Sequence, residues 1–144
     1  MFTKEDIEKL LSDKYTLIRP PRRIYILKAP IIYPEMKARI LGLNPAFERE
    51  TIILSSDANE ETLIHETIHS TLHLGEILTG PLARRVVKFR ERFKPILKRK
   101  VVYEEKRIPS REVERYSLRP IPPDEGEVVL LELKEKRRFL WKKI

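Results

Sequence analysis

Residues 50–73, ETIILSSDANEETLIHETIHSTLH, change hydrophobic period once, and that change constrains the fold more than any other stretch. ETIILS, residues 50–55, is β-branched and continuous, the pattern of a strand. SSDANEE then supplies short polar and acidic residues, after which Ile64, Ile68 and Leu72 recur at steps of four. The sequence therefore predicts a strand that feeds directly into an amphipathic helix. Asp57 is read as its N-cap, with Glu60 three residues later as capping-box partner and Glu61 beside it at the positive helix end. Gly75 is the stop signal.

All three histidines of the chain, His65, His69 and His73, fall in this stretch, on a stripe flanking the apolar one. Residues four apart share a helix face, so His65 and His69 can direct two imidazoles at one metal ion. Glu66 stands about 100° round the helix from His65, close enough to exchange a proton with a water that the ion activates. His73 lies about 12 Å from His65 along an unbroken helix, too far for one ion to serve both.

The chain contains no cysteine, which excludes disulfides and cysteine–zinc sites and leaves His and carboxylate as ligands, a set that suits catalytic zinc. Its 144 residues, 41% apolar, suit one domain with a real core. No apolar run reaches the roughly 18 residues of a transmembrane helix. The N-terminal MFTKEDIEKLL is charged and amphipathic, unlike a secretory signal, so a cytoplasmic location without membrane contact is expected. Four glycines leave no phosphate-cradling loop, and no G-x-S-x-G occurs. Gln is absent, Asn occurs twice and 36% of residues are charged, a composition expected of a thermophile.

Charge divides the chain. Residues 1–80 carry 10 bases and 12 acids, and residues 81–144 carry 20 and 10, a basic C-terminal half from about residue 81. Within 81–100 nine bases face only Glu91, so residues 84–100 are a candidate surface for nucleic acid or another anionic partner. The competing reading is a solvated helix face in a charge-rich protein.

Elsewhere, Thr3 opens a helix with Asp6 as a capping-box partner and Ile7, Leu10 and Leu11 as its apolar stripe. RIYILK, residues 23–28, reads as a strand, Pro30 and Pro34 bracket a short extended piece, and ARILGL, residues 38–43, reads as strand or bend. Leu82, Val86, Phe89, Phe93, Ile96 and Leu97 predict a second amphipathic helix over 82–99, with Pro95 as a kink or early stop. The remainder reads as β-rich: 101–104, 114–118, 127–133 and 138–141 are strand candidates, with a turn at 124–126. The basic end KEKRRFLWKK reads as a packed strand edge.

With strand, acidic cap and LIHETIHSTLH in sequence, residues 38–80 resemble the core of the zincin metallopeptidases. The likeness is to the small gluzincin members and to the peptidases that cleave phage-type repressors. The resemblance implies a single zincin-like α+β domain over residues 1–144: a small mixed sheet, an active-site helix bearing HExxH, a second amphipathic helix and a β-rich C-terminal part. It also implies Zn²⁺ on His65 and His69, Glu66 as general base, and a peptide or protein substrate that adds as a strand along an edge strand, here 50–55.

The third ligand stays open. The positions at which a metzincin has Gly and His are Leu72 and Gly75, which excludes that subgroup. Gluzincins use a Glu from a later helix. Glu91 is the single acid of the second helix but lies opposite its apolar stripe; Glu76, Glu104, Glu105, Glu112, Glu114 and His73 are the other candidates, beside no third protein ligand at all. Three functional readings follow. The first is an active zinc peptidase. The second is an inactive zincin-like basic protein that binds nucleic acid or an acidic partner. The third is a surface helix with incidental histidines.

Overall fold

The Thr3 capping box forms: the Thr3 hydroxyl accepts from the Asp6 N–H at 3.2 Å, and the Asp6 carboxylate accepts from the Thr3 N–H at 3.0 Å. Helix α1 (Lys4–Lys9) starts there and continues as a π-helical turn, Leu10–Lys14, with Ile7 and Leu11 fully buried. The computed structural model describes residues 1–15, 18–33, 38–45, 50–72, 81–85, 99–109, 112–113 and 127–137.

Most of the expected strands are present. They are β1 (Arg23–Ile26), β2 (Ile31–Tyr33), β3 (Ala38–Ile40), β4 (Gly42–Leu43), β5 (Thr51–Leu54), β6 (Lys100–Pro109) and β7 (Glu127–Arg137). The 38–43 segment splits into β3 and β4 around Leu41. A five-stranded sheet runs in the order β4-β5-β1-β7-β6, and β2 and β3 form a separate two-stranded ribbon. The sheet is mixed: β1 and β5 are parallel, in register Ile24↔Ile52, and the other neighbours are antiparallel. The architecture is thus α+β.

Side chains alternate across a strand, and this alternation builds two cores. Ile24, Ile26, Ile52 and Leu54 point to the face shared by Ile7 and Leu11 and by Leu63, Ile64 and Ile68 of helix α2 (Glu60–Leu72). Tyr25, Leu27, Ile53 and Val128 point to the opposite face, where Ile31 and Val113 cover them. All four residues of β5 are buried, because the sheet is covered on both sides.

Two expectations are corrected. Segment 50–55 is not an edge strand: β5 pairs with β1 on one side and with β4 on the other, and the short β4 is the edge beside α2. The α2 cap is Asn59 rather than Asp57. The Asn59 side-chain oxygen Oδ1 accepts from the Thr62 N–H at 2.8 Å, and the Thr62 hydroxyl accepts from the Asn59 N–H at 3.3 Å. The Asp57 N–H instead donates to the Ser55 hydroxyl at 3.1 Å, inside the turn.

At the far edge, β6 would present unpaired N–H groups. Side chains of the first helical segment take two of them: Val101 N–H donates to Ser12 Oγ at 3.0 Å, and Tyr103 N–H to Glu8 Oε2 at 2.8 Å.

Of the second predicted helix, residues 81–85 are helical, with Ala83 buried in the α2 core and Arg84 and Arg85 exposed. The rest of that helix, the strands at 114–118 and 138–141 and the turn at 124–126 lie outside the described residues; of the KEKRRFLWKK end, residues 134–137 belong to β7 and 138–143 lie outside the described residues.

Candidate metal centre

Helix α2 packs on β5 and β4, and this packing fixes which of its faces stays open. Leu63, Ile64, Thr67 and Ile68 are buried against the sheet. The buried hydroxyls are satisfied within the helix: Thr67 donates to the Leu63 carbonyl at 2.6 Å and Ser70 to the Thr67 carbonyl at 2.9 Å. The first turn is tied down by Tyr15, whose phenol donates to Glu60 Oε1 at 2.7 Å.

His65 and His69 lie half-buried at the rim of this buried face, one turn apart, with ring centroids 4.8 Å apart and planes at 67°. The Glu66 carboxylate joins them: ligand atoms of His65, Glu66 and His69 all lie within 4.8 Å of one another. Glu66 is only 5% exposed. Two imidazoles and a carboxylate at that separation form a group that could hold a metal ion.

Two of the three, His65 and Glu66, line an open cleft of about 470 Å³. Ile40, Leu41 and Gly42 make one wall; Asn59, Glu61, Thr62, His65 and Glu66 make the other. Leu41 is 38% exposed, one of two exposed large apolar side chains among the described residues. The Ser55 N–H donates to the Leu41 carbonyl at 2.9 Å, and Gly42 stands opposite Leu54 in the ladder. In an antiparallel ladder bonded and non-bonded pairs alternate, so Gly42 is in a non-bonded pair and its N–H and C=O point away from β5, along an edge that no other described strand pairs with.

The third-ligand candidates separate. Glu104 and Glu105 are excluded as partners of His65 and His69. They are exposed on β6, at the sheet edge opposite β4, three strands from β5, or roughly 14 Å at 4.8 Å per strand. Glu112 is excluded as well: it is exposed, next to Val113, which packs on the sheet face away from α2. Among the described residues no further His, Asp or Glu joins the group. His73, Glu76, Glu91 and Glu114 lie outside the described residues.

The basic stretch is altered at one end. Arg99 is buried, 8% exposed, and donates to the carbonyls of Leu11 and Tyr15, each at 2.8 Å, and of Ile18. It ties the π-helical segment to Ile18 and is closed to an external anion, whereas Arg84, Arg85 and Lys100 are exposed. Nothing in the charge pattern distinguished Arg99 from its neighbours.

No helix among the described residues is long and apolar enough to cross a membrane. Comparison of the chain with family models, with curated proteins and with solved structures returns no match.

Proposed function

We propose that the chain is a zinc-dependent peptidase, with His65 and His69 as metal ligands and Glu66 as the proton-transferring carboxylate. The observation that carries this reading is the convergence of the three side chains within 4.8 Å, with His65 and Glu66 lining an open cleft. The donors fit the ion: two imidazole nitrogens with no sulfur, beside open space, suit Zn²⁺ in a site that keeps a position for substrate. When bound there, the ion supplies Lewis acidity, polarising the scissile carbonyl and lowering the pKa of water.

The chain's own residues do the rest. Glu66 takes a proton from the attacking water and returns it to the leaving amine nitrogen as the C–N bond breaks. Its burial keeps the carboxylate in one place, so little reorganisation is needed at the moment of transfer. The outward N–H and C=O of Gly42 offer a peptide backbone the hydrogen bonds of an added strand. Leu41 and Ile40 give an extended substrate an apolar wall, and the turn of α2 carrying Thr62 and Glu66 faces it.

Glu66→Gln is the test. It keeps the size of the side chain and both imidazoles but removes the base. The variant should bind zinc as the parent does and lose hydrolysis of peptide substrates by about 10²–10⁴-fold. Undiminished hydrolysis in this variant means that Glu66 has another role and the mechanism is wrong.

A further inference from the structure

A Cβ placed on Gly42 would lie 2.9 Å from Glu66 Cγ, 2.9 Å from Thr62 Cγ2 and 3.3 Å from the Ile53 carbonyl oxygen. Carbon atoms in contact settle at about 3.5–4.0 Å, so even one methyl group has no room here. The backbone of Gly42 is not in the left-handed region, so glycine is required for space and not for conformation. Thr62 and Glu66 are one turn apart on α2, so both present to β4 from the same helix face.

We propose that Gly42 is the positioning residue for Glu66: the bare backbone of β4 lies against the Glu66 side chain and fixes where its carboxylate sits in the cleft. A side chain at position 42 has two outlets. It moves Glu66 away from the imidazoles, or it lifts the two-residue β4 off α2. Either shifts the carboxylate relative to the metal ligands while leaving His65 and His69 unaltered. This inference rests on the reading of Glu66 as the base, and it makes a separate claim about contact.

The test compares Gly42→Ala in the parent chain and in Glu66→Ala, which removes Cγ, by denaturant unfolding, zinc stoichiometry and peptide kinetics. The expected result is a Gly42→Ala chain that keeps one zinc, loses kcat by about tenfold or more and holds KM within about twofold. Its unfolding midpoint should fall clearly in the parent and by less in the Glu66→Ala background, where the Thr62 contact remains. Thr62→Ser, which keeps the capping hydroxyl and removes Cγ2, should restore part of the stability of Gly42→Ala but not its kcat. Equal destabilisation in both backgrounds, an unchanged kcat in Gly42→Ala, or full recovery of kcat with Thr62→Ser would each overturn the proposal. If the parent chain hydrolyses no peptide, the peptidase reading fails, and the unfolding comparison still decides the contact.

Discussion

His65 and His69 stand one turn apart on α2 with ring centroids 4.8 Å apart, and the helix that carries them both buries Ile64 and Ile68 in the core. The ligand pair is therefore held by the core, on a regular element and not on a loop, which is the condition for a precise site. A bound ion should in turn stabilise the helix. At a free metal concentration 1,000 times the dissociation constant, the gain is about 4 kcal/mol. Zinc should raise the thermal midpoint of the parent chain and leave that of His65→Ala unchanged; equal shifts in both would place the binding elsewhere.

Asn59→Ala tests the corrected cap. It removes the acceptor of the Thr62 N–H and should cost about 1 kcal/mol in denaturant unfolding, whereas Asp57→Ala should cost much less. The reverse order would restore Asp57 as the cap.

Arg99→Lys tests the buried guanidinium. Its two nitrogens reach three carbonyls of separate residues, and a lysine ammonium cannot reproduce that fork. The substitution should cost about 2 kcal/mol or more, since carbonyls buried beside Leu11 and Tyr15 lose their donors. A loss below about 0.5 kcal/mol, typical of an exposed position, would show that Arg99 is solvated.

Tyr103 sets an alkaline limit. Burial pushes its phenol well above the ordinary tyrosine value, with the nearby Glu8 carboxylate adding to the rise and the Arg99 guanidinium opposing it. The hydroxyl donates to the Pro21 carbonyl at 2.6 Å. The folded pKa is raised, so the folded chain holds its proton more tightly than the unfolded one. That stability is fully present below the unfolded tyrosine pKa of about 10 and is lost as pH rises above it. Tyr103→Phe should be less stable at neutral pH by about 1 kcal/mol and show a shallower loss above pH 10. Parallel pH profiles would mean that the phenol ionises freely in the folded chain.

How far these features were legible depends on whether local chemistry alone decides them. Helix α2 and the His65–His69 pair were legible because the four-residue spacing of Ile64 and Ile68 and of the two histidines leaves one arrangement on a helix. Its cap was not, since Asp57 with Glu60 and Asn59 with Thr62 are equally good local pairs. The choice falls to the Ser55 turn, which takes the Asp57 N–H. The interior position of β5 was missed, because the resemblance put an edge strand at 50–55, although the uninterrupted run of Thr51–Leu54 fits burial on both faces. The true edge, Gly42–Leu43, is two residues long and too short to carry a period. Glu104 and Glu105 were plausible ligands by sequence alone; only strand order, which is non-local, puts them at the opposite edge. Arg99 is buried because the carbonyls of Leu11, Tyr15 and Ile18 converge on it and need donors, and no pattern in the sequence announces that need.

The central claim is that His65 and His69 hold a metal ion, and metal content tests it most directly. The chain should be purified without a histidine tag, offered zinc, desalted and measured by mass spectrometry beside His69→Ala. The account predicts close to one zinc per parent chain and almost none in the variant. A parent chain that retains no zinc, or a variant that retains as much as the parent, would contradict it.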